Sequence, residues 1–123
     1  MSKEEIAWAA GIIEGEGCLS MFDRKCPSGN IHPQFAIHCE MTDQDIIVRL
    51  QHCLGGRGNI NYRENNRRSD GCERKPSWIL SIQKQQEVCN TLNELWEWLG
   101  DRRRAKAQEI LEGLRKKGVI YES

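Results

Sequence analysis

Two pairs of alternating segments constrain this chain more than any other feature. Cys18–Arg24 and Gln34–Met41 form the first pair, joined through the turn Cys26-Pro-Ser-Gly-Asn30. Asn59–Arg63 and Ser77–Gln83 form the second, joined by a long basic loop. A period of two puts Phe35, Ile37, Cys39 and Met41 on one face of a strand and Gln34, Ala36, His38 and Glu40 on the other. Likewise Ile60 and Tyr62 oppose Asn59, Asn61 and Arg63, and Trp78, Leu80 and Ile82 oppose Ser77, Ile79 and Ser81. Strands this close in sequence pair as antiparallel hairpins.

Helical patterns fill the remainder. Ser2-Lys-Glu-Glu5 is a capping box that starts a helix near Lys3, running to about Gly15. Thr42-Asp-Gln-Asp45 is expected to cap a second helix, whose apolar stripe Ile46, Ile47, Leu50, Cys53 and Leu54 ends at Gly55-Gly56. Val88, Leu92, Leu95, Trp96 and Leu99 mark a third helix stopped at Gly100, and Ile110, Leu111 and Leu114 a fourth stopped near Gly118. The predicted order is αββαββαα, an α+β fold with one four-stranded antiparallel sheet. At 123 residues this is one domain spanning 1–123.

Helices that alternate with hairpins cover one face of the sheet and leave the other open. The open face would carry Ser20, Phe22, Arg24, Gln34, His38, Glu40, Asn59, Asn61, Arg63, Ser77, Ser81 and Gln83. Arg, Asn, Gln and Glu each match a donor and acceptor pattern in the major groove, so the face suits double-stranded DNA; a merely solvated sheet face would look similar. Eighteen Lys and Arg balance eighteen Asp and Glu, so net charge argues for no partner. The distribution does argue for one. Arg57 to Lys75 holds six bases (Arg57, Arg63, Arg67, Arg68, Arg74 and Lys75) against three acids, and Arg102 to Lys106 adds four bases without an acid.

Composition excludes other classes. With 38% apolar and 29% charged residues the chain is neither disordered nor membrane-spanning. The apolar run Ile6–Ile13 stops at Glu14, far short of the ~20 residues that cross a bilayer, and acids flank it where an export signal is basic. No close pair occurs among Cys18, Cys26, Cys39, Cys53, Cys72 and Cys89, so reduced thiols fit better than zinc or a disulfide scaffold. The expected setting is the cytoplasm, that of a host cell if the gene is phage-borne, with an organelle as the other compartment. Neither a membrane nor a small-molecule substrate is an expected partner.

The first helix is unusual. Gly11 and Gly15 each cost about 1 kcal/mol relative to alanine inside a helix. Four apart, they share a stripe beside Ala7 and Trp8 and would let a second helix approach closely; an intramolecular contact or a C-cap at Gly15 would also explain them. Glu14 and Glu16 follow at the negative end of the helix dipole, where an acid wants a counter-charge. That is either a divalent metal or a base from Arg102–Lys106.

The stretch Ala9-Ala-Gly-Ile-Ile-Glu-Gly-Glu-Gly17 resembles the LAGLIDADG motif of homing endonucleases. The order of two hairpins separated by a helix, the Gly56-Arg-Gly58 turn before the third strand and the closing helices resemble that family too, over essentially Lys3 to Gly118. The resemblance implies a saddle-shaped sheet and a site-specific double-strand DNA endonuclease of intron or intein mobility. One motif per chain implies a homodimer that packs two motif helices through Trp8, Gly11, Ile12 and Gly15. Glu16 would then hold catalytic Mg with help from the Gly15 carbonyl, Mn substituting and Ca non-productive, for metal-dependent phosphodiester hydrolysis. Glu14 looks structural. Glu16 stands where the motif more often has Asp, and Asp43 where relatives often have a water-orienting Gln; Asp43 also reads as a helix cap. The phosphate-polarising base falls among Arg102, Arg103 and Arg104, with Arg103 in step with Ala107, Ile110 and Leu114. The base-facing set comprises the open-face residues together with Arg57, Arg67 and Arg68. The alternative within the family is a cleavage-deficient maturase or regulator that binds DNA or RNA.

Overall fold

The Ser2 hydroxyl accepts the Glu5 amide at 3.1 Å, and the Glu5 carboxylate accepts the Ser2 amide at 2.9 Å, which closes the capping box and starts helix α1 (Lys3–Glu16). The same hydrogen bonds hold the Glu5 carboxyl below its usual range. The chain is described from a computed structural model that covers residues 1–64 and 75–122. Arg67, Arg68, Cys72 and Arg74 lie outside the described residues.

Strand β1 (Gly17–Lys25) follows α1 without a connecting loop. Only glycine permits this change of direction, because a Cβ at Gly17 would stand 2.7 Å from the Ile13 carbonyl oxygen and 2.9 Å from its Cα. Next come β2 (Ile31–Met41), α2 (Gln44–Cys53), β3 (Asn59–Arg63), β4 (Ser77–Ile82), α3 (Gln85–Leu95), a short 3-10 turn (Trp96–Trp98) and α4 (Asp101–Lys116). The strands form one antiparallel sheet in the order β1-β2-β4-β3. The expected αββαββαα order and α+β class are therefore those of the structure.

Ala9, Ala10 and Ile13 of α1, Ile47, Leu50 and Cys53 of α2, Val88, Leu92 and Leu95 of α3, and Ala107, Ile110 and Leu114 of α4 are buried against one sheet face. That face supplies Leu19, Phe35, Ile37, Cys39, Leu80 and Ile82, the set the alternation selects, with Met41, Ile60 and Trp78 half-buried at its margin. No helix among the described residues is long and apolar enough to cross a membrane.

Three local differences from the sequence reading have physical causes. Strand β2 begins at Ile31, ahead of Pro33. Proline lacks a donor, and this stretch of β2 bonds only to β1, since pairing with β4 begins at Ile37. The N-cap of α2 is Asp43, as its reading as a helix cap expects, but its side chain makes no capping hydrogen bond. Beyond Ile82 the ladder continues through a side chain: the Gln85 amide accepts the Phe35 N–H at 3.1 Å and donates to the Phe35 carbonyl at 2.9 Å.

Gly58, just before β3, combines two demands. Its φ is 78°, and a Cβ there would lie 2.6 Å from the Ser81 carbonyl oxygen. Gly58→Ala is expected to lower stability by about 2 kcal/mol or more, read as a fall of several degrees in the thermal midpoint; an unchanged midpoint would contradict the assigned turn.

Candidate nucleic-acid interface and its carboxylate

The strand register turns the uncovered sheet face into rows. Cys18, His38, Ser81 and Asn59 lie side by side across all four strands. Glu40, Ile79 and Asn61 form the next row, Ser77 and Arg63 the one beyond it. In the other direction Ser20 pairs with Ala36, Phe22 with Gln34 and Arg24 with His32. Beyond Ser20 the first hairpin carries no buried side chain on β1, and Phe22 and Arg24 are exposed on it. A cleft of about 520 Å³ lies between Arg24, Gly58, Asn59 and Lys84.

Several face residues are already hydrogen-bonded to one another. His38 Nδ1 lies 3.0 Å from Ser81 Oγ, and partial burial pushes the His38 pKa down, so its neutral ring is favoured. Ser77 Oγ donates to Glu40 Oε2 at 2.5 Å, and Arg63 Nη1 stands 3.4 Å from Glu40 Oε1. Asn59, Asn61 and Arg63 on edge strand β3 are exposed.

Arg57, expected on this face, is elsewhere. Its guanidinium grips both carboxylate oxygens of Glu94 at 3.0 and 2.8 Å and donates to Thr91 Oγ1 at 3.1 Å, all on α3. With 17% of its side chain exposed, it fastens the α2–β3 connection to the helical layer. Cys18 and His32 belong to the face and were not singled out from sequence, whereas Ala36 and Ile79 were placed on this side by alternation without a recognition role. Cys18 and His32 follow from extending the same alternation by one step, the latter through Pro33.

At the end of α1, Glu14 and Glu16 meet different fates. Glu14 accepts the Gly100 amide at 2.8 Å, at the N-cap of α4, and its Oε2 is 3.5 Å from Arg103 Nε. An acid that is disfavoured at the end of its own helix is thus favoured at the start of another. Arg103 Nη2 also donates to the Glu14 carbonyl at 3.4 Å. Arg103 is therefore the counter-charge of Glu14 within the protomer. Its expected step with Ala107, Ile110 and Leu114 holds, but the geometry brings it to Glu14 rather than to Glu16. Arg104 bonds the Trp96 and Glu97 carbonyls at 3.0 Å each, whereas Arg102 is exposed and makes no ion pair among the described residues.

Glu16 is exposed and has no hydrogen-bond partner among the described residues. Its charge reaches the buried Cys39 thiol, whose pKa rises to about 11 through burial first and Glu16 second. Asp43 is exposed at the start of α2, beyond the same end of β2. Among the described residues no three His, Cys, Asp or Glu side chains converge as a metal cage. Glu16 and the Gly15 carbonyl offer oxygen donors of the kind a hard divalent cation takes, and they make part of a ligand set rather than a whole one.

The outer stripe of α1 is open. Among the described residues a Cβ placed at Gly11 or Gly15 meets nothing within 4 Å, so no contact among them explains either glycine, and the cap of α1 is Gly17 rather than Gly15. Trp8, on the same side, is half-buried with the Arg49 guanidinium 4.0 Å above its ring, and Ile12 is half-buried.

Solved structures place this architecture. No protein-family model and no curated protein sequence matches the chain. The homing endonuclease I-CvuI, solved with its target in the presence of 2 mM Ca, superposes with a TM-score of 0.71 at 20% identity, covering 92% of this chain and 67% of that one. I-CeuI, an intron-encoded homing endonuclease complexed with DNA, gives 0.74 at 13% identity over 95% and 56% of the two chains. The LAGLIDADG homing endonuclease I-GzeII, in complex with its DNA target, gives 0.72 at 9% identity over 92% of this chain and 36% of that one. This chain has the LAGLIDADG homing endonuclease fold. The motif-like stretch Ala9–Gly17 forms the end of α1 and the first residue of β1, so the glycines and acids of the resemblance sit at one helix-to-strand junction.

Removing the Arg103 side chain leaves the Glu14 oxygens without their cation. Arg103→Ala is expected to lower unfolding free energy by about 1–2 kcal/mol in urea titrations, and Arg102→Ala by less than about 0.5 kcal/mol. Equal effects would remove the structural role assigned to the Glu14–Arg103 pair.

Proposed function

We propose that the protein is a site-specific double-strand DNA endonuclease that works as a homodimer with a divalent metal. One observation carries the reading: exposed Glu16 stands at the junction from which β1 runs into a sheet face of hydrogen-bonding side chains. Glu16 is the last residue of α1 and directly precedes the Gly17↔Cys39 pair that opens the β1–β2 register, so the carboxylate borders the sheet whose open face would lie in a major groove.

In this reading the open sheet supplies recognition. Gln34, His38, Asn59, Asn61 and Arg63 present donors and acceptors to base edges, while Ser20, Ser77 and Ser81 adjust them at shorter range. The homodimer is supported by Gly11 and Gly15, whose cost inside the helix is offset by no contact among the described residues. Two α1 helices crossing there would bring two Glu16 carboxylates together, each with a Gly15 carbonyl beside it. Magnesium held by these oxygens supplies Lewis-acid polarisation of the phosphate and activation of water. Glu16 positions that ion, Asp43 is free to orient water because it is not engaged as a cap, and Arg102 is the base of its cluster left available for a phosphate. Intron or intein mobility is the setting this activity serves.

The test is incubation of a randomised duplex library with the purified chain in Mg and then in Ca, with sequencing of the ends. Discrete ends from a near-palindromic site in Mg, and none in Ca, are expected. Glu16→Gln is expected to reduce cleavage about 100-fold or more while duplex binding persists; undiminished cleavage would overturn the assignment. Binding without ends in either metal would favour a cleavage-deficient DNA-binding protein.

The dimer has its own test. Gly11→Leu meets open space in a single protomer, so the melting transition should be retained while sedimentation shows monomers and cleavage disappears. A dimeric, active Gly11→Leu protein would place the interface elsewhere.

A further inference from the structure

Among the described residues the open-face positions of the strands carry one carboxylate, Glu40, where a nucleic acid's negative charge would be repelled. Glu40 lies on β2, two strands from the sheet's β3 edge, and both of its oxygens are engaged: Oε2 accepts from Ser77 Oγ at 2.5 Å and Oε1 faces Arg63 Nη1 at 3.4 Å. Ser77 is buried, so its hydroxyl fixes Glu40 from below, and the register sets Arg63 directly opposite Ser77. The three side chains form a chain across β4, β2 and β3.

Comparison with Arg57 shows what this arrangement leaves available. Arg57 is gripped on two nitrogens at 2.8 and 3.0 Å and is 17% exposed, so its donors are consumed. Among the described residues Arg63 is touched on one nitrogen at 3.4 Å, and it is 45% exposed. Within that set its guanidinium is steered without being closed, and its exposed part belongs to the recognition face. Glu40 has one contact on each oxygen, so its carboxylate is oriented by Ser77 and Arg63 before any base arrives.

We propose that Ser77 and Glu40 are positioning residues for Arg63, and that Arg63 reads a guanine in the major groove of each half-site. The inference rests on the duplex-binding reading above and deepens it. A planar fork held at one end presents two parallel donors at the other, which matches the O6 and N7 acceptors of guanine. Pre-orientation matters because an unrestrained arginine loses rotamer freedom on docking, and a carboxylate on one nitrogen removes part of that loss before the base arrives. The charge of Glu40 weakens binding to duplex in general and sharpens the preference for one base, an exchange of affinity for discrimination.

The experiment is selection of bound duplexes from a randomised library in Ca by the full chain, followed by base frequencies at every position, with Glu40→Gln, Ser77→Ala and Arg63→Ala run in parallel. The unaltered protein is expected to show a guanine preference of roughly 10- to 100-fold at one symmetric pair of positions. Arg63→Ala should abolish that preference and leave other positions within about twofold. Glu40→Gln should lower it several-fold at the same positions while raising affinity for unrelated duplex, since a like charge has been removed. Ser77→Ala should move in the same direction by less. A uniform loss across all sequences with Arg63→Ala would make Arg63 a phosphate contact and overturn the proposal. So would an unchanged profile in Glu40→Gln. Failure of the unaltered chain to bind duplex defeats the functional reading as well, whereas sequence-selective binding with no response in the variants defeats this inference alone.

Discussion

Glu14 fixes the geometry on which the site depends. Its carboxylate accepts the Gly100 amide and faces Arg103, so the end of α1 is tied to the start of α4. Three residues later the chain must already be a strand, and Gly17 makes that possible because no Cβ intrudes on Ile13. Between these constraints Glu16 has one place to be, at the rim of the sheet and facing solvent. A longer or frayed α1 would carry that carboxylate away from the β1–β2 junction. The Glu14 tie therefore sets the position of a group it does not touch.

The sheet divides the remaining residues by physical necessity. Four helices bury the apolar side of each strand, and no helix among the described residues covers the other side, so the residues there stay polar without being random. His38 with Ser81 and Glu40 with Ser77 and Arg63 are cross-strand pairs at neighbouring register positions. Such pairs reduce side-chain freedom before any ligand arrives. Helix α1 is divided in the same way, with Ala9, Ala10 and Ile13 inside and Gly11 and Gly15 outside, where nothing among the described residues requires them to be small.

Much of this was legible in the sequence because the deciding signals are local. Alternation selected Phe35, Ile37 and Cys39 for the core and Gln34, His38 and Glu40 for the open face, and the capping box located α1. What was not legible depends on distant partners. Nothing near Asp43 reveals that its side chain leaves the helix amides unbonded, and nothing near Arg103 reveals that Glu14, 89 residues earlier, is its counter-ion. The start of β2 was hidden because Pro33 reads locally as a break, while its tolerance depends on which neighbour strand is absent there.

Arg57 and Arg63 carry this argument to its limit. They lie six residues apart, belong to one basic run and have the same side chain, so local sequence assigns them one role. Arg57 meets the Glu94 carboxylate and the Thr91 hydroxyl of α3 and becomes part of the protein's interior wiring. Arg63 meets one oxygen of a carboxylate that a buried serine already holds, and among the described residues no other group engages its donors. A basic run is therefore no measure of an interface, and zero net charge does not argue against one. What decides is how many of each guanidinium's donors the fold has already engaged, and that count is made by residues up to 37 positions away.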